Sequence, residues 1–140
     1  MNRITLNNKI QMPMLGFGTF LMGGSECEES VHAAIRSGYR MIDTAEAYRN
    51  EEAVGSAIVK SGIPREELFL VTKVNFRSYE NTRETVEASL NKLKTSYLDL
   101  VLLHWTFGNY YAAWRELEKM YHEGKIRAIG VSNFDPGRLI

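Results

Sequence analysis

Phe69-Leu70-Val71-Thr72-Lys73-Val74 is an apolar, partly β-branched run with a lysine set near its C-terminal end. Such a run fits a strand buried on both faces. Lysine is rarely buried without a partner, so Lys73 marks a special position. The same pattern recurs outward in both directions. Met41-Ile42-Asp43 is a short apolar run ending in a carboxylate. Leu98 to His104, the most apolar run of the chain, ends in an imidazole. Ile126 to Val131 is followed by Ser132-Asn133. Asp43, Lys73, His104 and Asn133 are separated by 30, 31 and 29 residues. One polar group thus stands at the end of each strand, once per repeat.

Between these runs the periodicity is helical. Glu28 to Arg36 places Val31, Ala34 and Ile35 on one face, with Gly38 just past the end. Asn50 to Lys60 carries an Ala53, Val54, Ala57, Ile58 stripe and stops at Gly62. A third helix starts near Thr82 with Val86, Leu90 and Leu93 inward, and Asn81 followed by Glu84 fits an N-cap pairing. A fourth points Trp114, Leu117, Met120 and Tyr121 inward and ends at Gly124. Asp135-Pro136 reads as the start of a fifth. Leu15 to Thr19 supplies a first strand. Ile4 to Gln11 reads as a hairpin turning on Asn7-Asn8, because Asn tolerates positive φ.

Strand-helix alternation makes a parallel sheet. In a (β/α)8 barrel the C-terminal strand ends meet on one face, where active sites lie. Singly, Asp43, Lys73 and His104 each have a plain structural explanation: a loop tie, a frayed end, a satisfied histidine. Jointly, three such accidents at one structural position are hard to accept. Alternation along the strands puts Val71 and Phe69 on the face of Lys73, and Leu102, Leu100 and Leu98 on that of His104.

Composition narrows the function. The 140 residues carry 17 basic and 17 acidic side chains, with 44% hydrophobic and 24% charged residues. This is a globular composition with no pull toward nucleic acid or membrane, and the length is that of one domain over residues 1–140. The start has no apolar leader, and the single Cys27 forms no disulfide framework, so a reducing, cytoplasmic setting is expected. Gly16-Phe17-Gly18 is not a dinucleotide fingerprint, because Leu21 stands where the third glycine belongs. His32, His104 and His122 lack ligand spacing, so no metal is expected. Glu26, Glu28 and Glu29 disfavour a thiolate at Cys27. Phe20, Tyr48, Trp105 and Phe107 all follow strands, as loop packing or as pocket walls.

Gly38-Tyr39-Arg40-Met41-Ile42-Asp43-Thr44-Ala45, Tyr48, Asn50-Glu51 and Val54-Gly55 closely resemble the aldo-keto reductases. So do Gly16-Phe17-Gly18-Thr19, Thr72-Lys73-Val74, Asp99-Leu100 through His104-Trp105, and Gly130 to Phe134. The tone is most similar to bacterial diketo-gluconate reductase-type members. The resemblance implies a (β/α)8 barrel, here five strands and four helices plus an N-terminal hairpin. It implies NADPH, with NADH possible, reducing small aldehydes and ketones. The family's catalytic residues map onto Asp43, Tyr48, Lys73 and His104. Thr19, Asp43, Ser132 and Asn133 map onto the cofactor site, and Phe20, Tyr48, His104 and Trp105 onto the substrate pocket. A tyrosine ordinarily ionises near pH ~10, and an adjacent ammonium eases proton donation. Asp43 would hold Lys73, and His104 would orient the carbonyl. Thr106 departs from the family, which often has proline after His-Trp. Eight units of this size need about 240 residues. The family's adenosine-phosphate residues come later than those present here. Two alternatives follow: an inactive truncated barrel, or a cofactor-sensing binding subunit of the potassium-channel β type. An open barrel would bare two strand edges and the inward faces of Phe69, Val71, Leu98, Leu100 and Leu102. The expected partners are therefore a second copy of the chain or a missing C-terminal half.

Overall fold

A computed structural model describes residues 2–139. Five strands form one parallel sheet: β3 (Phe17–Gly18), β4 (Met41–Asp43), β5 (Phe69–Val74), β6 (Leu100–Leu103) and β7 (Ile129–Val131). They are ordered β3-β4-β5-β6-β7, each neighbour pair parallel. The helices α1 (Gly24–Arg36), α2 (Glu51–Ser61), α3 (Thr82–Lys92) and α4 (Tyr110–His122) fall between successive strands. This is five consecutive strands and four helices of a (β/α)8 barrel. The core lies between sheet and helices, where Val31, Ile35, Val54, Ala57, Val86 and Leu117 meet Ile42, Leu70, Val101 and Leu103.

The sheet is staggered, and the stagger positions the site. Asp43 is level with Val71, and Lys73 with Leu102. Val71 and Lys73 share a face, as do Leu102 and His104. Lys73 therefore stands one same-face step above Asp43, and His104 one step above Lys73. The near-constant spacing of the polar groups along the chain becomes a staircase across the sheet, as the tilt of barrel strands requires.

Several expectations change. α1 starts at Gly24, four residues early, which buries Cys27 against the core. Asn81 makes no cap bond: a 3-10 turn over Phe76–Asn81 leads straight into α3, and Thr82 instead donates to the Tyr79 carbonyl at 2.8 Å. Pro136–Arg138 is a single 3-10 turn, and Asp135 pairs with Arg138 at 3.3 Å rather than capping it. The hairpin of β1 (Arg3–Thr5) and β2 (Gln11–Pro13) turns with positive φ at Lys9, not at either asparagine. Asn8 uses its amide on the Arg127 carbonyl instead, at 2.8 Å, which ties the hairpin to the barrel floor. Leu98 joins the helix-side core, because the regular alternation of β6 begins only at Leu100. Phe69 and Val71 are buried as well, so only Leu100 and Leu102 of the five inward residues are half-open. Trp114 and Tyr121 are half-buried along a cleft of about 480 Å³ beside the free edge of β7.

Beneath the sheet, Asp99 is fully buried and takes bonds from Arg65, Arg127 and the Leu70 amide at 2.7, 2.7 and 2.9 Å. A carboxylate buried there is tolerated because two guanidiniums and an amide replace its water.

Gly55 shows how closely α2 approaches the end of α3. A Cβ there would lie 2.3 Å from the Lys92 carbonyl oxygen and 2.9 Å from the Leu93 backbone. Gly55→Ala is expected to destabilise the protein by about 1–3 kcal/mol, the range of overpacking, despite the better helix propensity of alanine. Urea unfolding of the two proteins measures this, and equal midpoints would show that the helices part freely.

Candidate active site

Four polar side chains converge above the C-terminal ends of β4, β5 and β6. Lys73 is 7% exposed. Its Nζ donates to Asp43 Oδ1 at 2.6 Å and to the Thr44 carbonyl at 2.9 Å. The ammonium is thereby paired, which is what permits its burial. The same Nζ lies 5.1 Å from the centroid of the Tyr48 ring. Tyr48 rides on a 3-10 turn, Glu46–Tyr48, directly after β4. Its ring meets His104 edge-on at 5.8 Å and Phe20 at 5.0 Å. Trp105 stacks on His104 at 5.8 Å. Asp43, Tyr48, Lys73 and His104 are thus brought together, with Phe20 and Trp105 as an aromatic rim.

His104 is 8% exposed, and its Nδ1 is buried with no hydrogen-bond partner. Burial and then the Lys73 charge hold its pKa below the ordinary value, against the weaker opposite pull of Asp43 and Glu46. The imidazole is neutral at pH 7. An orphaned N–H donor is the rarer defect, so the proton belongs on Nε2, which makes that nitrogen the donor.

The loops are held by side-chain clamps. Asn50, 2% exposed, accepts from the Thr44 hydroxyl at 2.7 Å and donates to the carbonyls of Thr19 and Met22 at 2.8 and 2.9 Å. It precedes α2 without capping it, because its amide is spent on these loops. Glu46 accepts from the Asn75 amide at 3.0 Å and from the Ser78 hydroxyl at 2.7 Å. Buried Glu51 accepts from Thr72 at 2.6 Å at the start of α2, where the helix dipole favours a carboxylate. The Tyr79 hydroxyl donates to the Trp105 carbonyl and accepts from the Trp105 amide at 3.1 Å. The fit of Glu51 to Thr72, like the Glu46 and Tyr79 clamps, was not singled out from sequence. Each is a contact between elements 21 to 32 residues apart, with no local pattern.

One expected cofactor residue, Thr19, sits differently, and Asn133 is placed at the end of β7. Thr19 is fully buried, and its hydroxyl points at the Asp43 carbonyl at 3.2 Å, so its side chain does not face the cleft. Asn133, exposed and at positive φ, donates to the His104 carbonyl at 2.8 Å and to Ser132 Oγ at 3.0 Å. Among the described residues no cluster of potential metal ligands occurs, and no helix is long and apolar enough to cross a membrane.

The family model of the aldo/keto reductase family matches residues 14–139. The chain belongs to the aldo-keto reductase family. A protein of Bacillus subtilis (strain 168) named glyoxal reductase is 52% identical over 140 residues, covering 97% of this chain and 51% of that protein. An aldo/keto reductase structure from Brucella melitensis superposes with a TM-score of 0.95 at 40% identity, over 99% of this chain and 56% of that one. A Bombyx mori aldo-keto reductase in complex with NADP gives 0.91 at 31% identity, over 98% and 52%. The chain spans about half the length of the curated relatives it matches. The fold expected from the resemblance is the fold found.

The lowered pKa of His104 makes a stability prediction for this aldo-keto reductase chain. Between the native value and the unfolded value near ~6.5, the unfolded chain binds the extra proton, so stability falls as pH drops through that window. His104→Gln is expected to flatten this part of the profile. Thermal melts of both proteins between pH 7.5 and about 5 test it. Parallel profiles would show that His104 titrates normally.

Proposed function

We propose that the full-length protein reduces aldehydes or ketones to alcohols with NADPH, or NADH, and that Tyr48 is the general acid. The observation that carries this reading is the buried Lys73 ammonium, paired with Asp43 and set against the Tyr48 ring. A cationic group beside a phenol stabilises the phenolate left when the proton departs. Asp43 fixes the ammonium and so acts through it. His104, neutral and with its proton on Nε2, donates a hydrogen bond to the substrate carbonyl and orients it. Tyr48 delivers its hydroxyl proton to the carbonyl oxygen, which becomes the alcohol hydroxyl. Phe20 and Trp105 pack the apolar part of the substrate.

The donor set at the end of β7 fits a primary carboxamide. Asn133 Oδ1 accepts no bond among the described residues, and the Ser132 hydroxyl proton is uncommitted. An acceptor for the amide N–H and a donor for its oxygen stand side by side there. When bound, a nicotinamide held by these two residues supplies hydride to the carbonyl carbon.

In the full-length protein, Tyr48→Phe is expected to lower kcat for an aldehyde about 10²–10⁴-fold, with NADPH affinity retained. Steady-state kinetics and a fluorescence titration with NADPH measure the two. Unchanged turnover would assign the acid elsewhere.

We further propose that residues 1–140 alone associate. Among the described residues β3 and β7 each have one unpaired edge, and Leu100 and Leu102 are half-open beside β7. Light scattering on the isolated segment is expected to give a mass above 16.0 kDa. A monodisperse monomer would overturn this.

A further inference from the structure

Residues 19–22 make a tight turn just past β3, closed by the Met22 amide on the Thr19 carbonyl at 3.2 Å. Its third residue, Leu21, stands at φ +65°. Turns ordinarily place glycine or asparagine there, because a Cβ crowds the backbone in that conformation. Among the described residues the other non-glycine positions at positive φ are Lys9, Arg49, Lys94 and Asn133, all polar. Leu21 is the one apolar side chain in the set, and it is 84% exposed, so packing does not offset its strain.

The buried side chain of Asn50 holds this turn from below. Its Nδ2 donates to both ends, to the Thr19 carbonyl at 2.8 Å and the Met22 carbonyl at 2.9 Å. Its Oδ1 is anchored by the Thr44 hydroxyl at 2.7 Å, and the Thr44 carbonyl in turn accepts from Lys73. Asn50 also follows Tyr48 by two residues. The second residue of the turn, Phe20, is exposed, and its ring lies 5.0 Å from that of Tyr48. One amide therefore joins the two segments whose rings meet at the proposed acid.

We propose that Asn50 is a positioning residue for the Tyr48 phenol, acting through the strained turn at Leu21 and the ring of Phe20. The inference rests on the reading of Tyr48 as the general acid. With the turn held, Phe20 keeps the Tyr48 ring against His104 and the Lys73 ammonium. Without the amide, Leu21 leaves positive φ, the turn opens and Phe20 leaves the ring. Asn50 touches neither the substrate nor the reacting atoms, so its effect reaches the chemistry only by this route.

The test uses the full-length protein with NADPH and glyoxal, and the first readout is kcat. Asn50→Ala is expected to lower kcat about ten- to hundredfold, the effect of a misplaced catalytic group. Leu21→Gly alone is expected to leave kcat unchanged. Asn50→Ala/Leu21→Gly is expected to recover most of the loss, because glycine holds positive φ without a clamp. A loss that glycine does not recover, or no loss at all, overturns the proposal, since a merely structural asparagine would not be rescued from position 21. Thr44→Val removes only the anchor of Asn50 Oδ1. It is expected to give the same pattern at smaller amplitude, and it carries the test if Asn50→Ala does not fold. Failure of the wild type to reduce glyoxal counts against the carbonyl-reductase reading instead. The NMR signals of the Tyr48 ring, assigned with Tyr48→Phe in tyrosine-labelled protein, then decide the positioning by themselves. Their ring-current shift is expected to move in Asn50→Ala toward the Phe20→Ala value and to return in the double variant. Signals that Asn50→Ala leaves in place overturn the proposal.

Discussion

The buried ammonium of Lys73 is the constraint on which the upper half of the structure depends. A lysine 7% exposed has given up most of its water and must be paid back by fixed partners. Asp43 and the Thr44 carbonyl do this, both from the neighbouring strand end. The pair holds only if Lys73 stands one same-face step above Asp43, so the stagger of β4 on β5 and the ion pair require each other. Removing Asp43 alone would strand a buried charge, a defect worth about 3–5 kcal/mol. The same ammonium lies against Tyr48 and lowers the basicity of His104. One charge thus organises three side chains from three different segments.

Around that pair, the loops are joined in sequence by polar side chains. Asn50 links the loops after β3 and β4, Glu46 those after β4 and β5, Tyr79 those after β5 and β6, and Asn133 those after β6 and β7. Each clamp uses a side chain from one repeat on backbone or hydroxyl groups of its neighbour. Loops at strand ends cannot use sheet bonds, so their exposed backbone groups would otherwise fall to water. The clamps tie the Tyr48 and Trp105 segments to the neighbouring repeats. Thr19 belongs to this frame: its buried hydroxyl serves the Asp43 carbonyl, which explains why it is turned from the cleft.

The repeat was readable because it is local and periodic. β4 and β5 lie where the apolar runs place them, and Val86, Leu90 and Leu117 are buried as their spacing requires. The convergence of Asp43, Lys73 and His104 was also readable, because equal chain spacing and a parallel sheet leave one geometry. Other features escaped because their causes are long-range. Asn81 carries the composition of a cap, yet the preceding 3-10 turn leaves its side chain no role. Leu98 fits the alternation of β6, yet the strand is regular only from Leu100, and Leu98 pairs through an isolated bridge to Ile126. Phe69 was expected at an open inward face, but it lines a cleft with Ile10 and Pro13 of the hairpin, a segment outside the repeat. Glu46 and Tyr79 are invisible to any local pattern, since each acts on a segment about one repeat away.

The chemistry of the cleft follows from keeping its charges unequal. Lys73 has its counter-ion within hydrogen-bond distance, and its Nζ lies 5.1 Å from the centroid of the Tyr48 ring. Burial and Lys73 both oppose a second positive charge on His104. Phe20 packs on Tyr48 and Trp105 on His104, so the two aromatics frame the cluster. Exchanging the positions of Lys73 and His104 would move the ammonium beside Trp105, away from its counter-ion Asp43. The order of the staircase, carboxylate then ammonium then imidazole, is therefore what pairs the buried charge, and the strand stagger is what keeps that order.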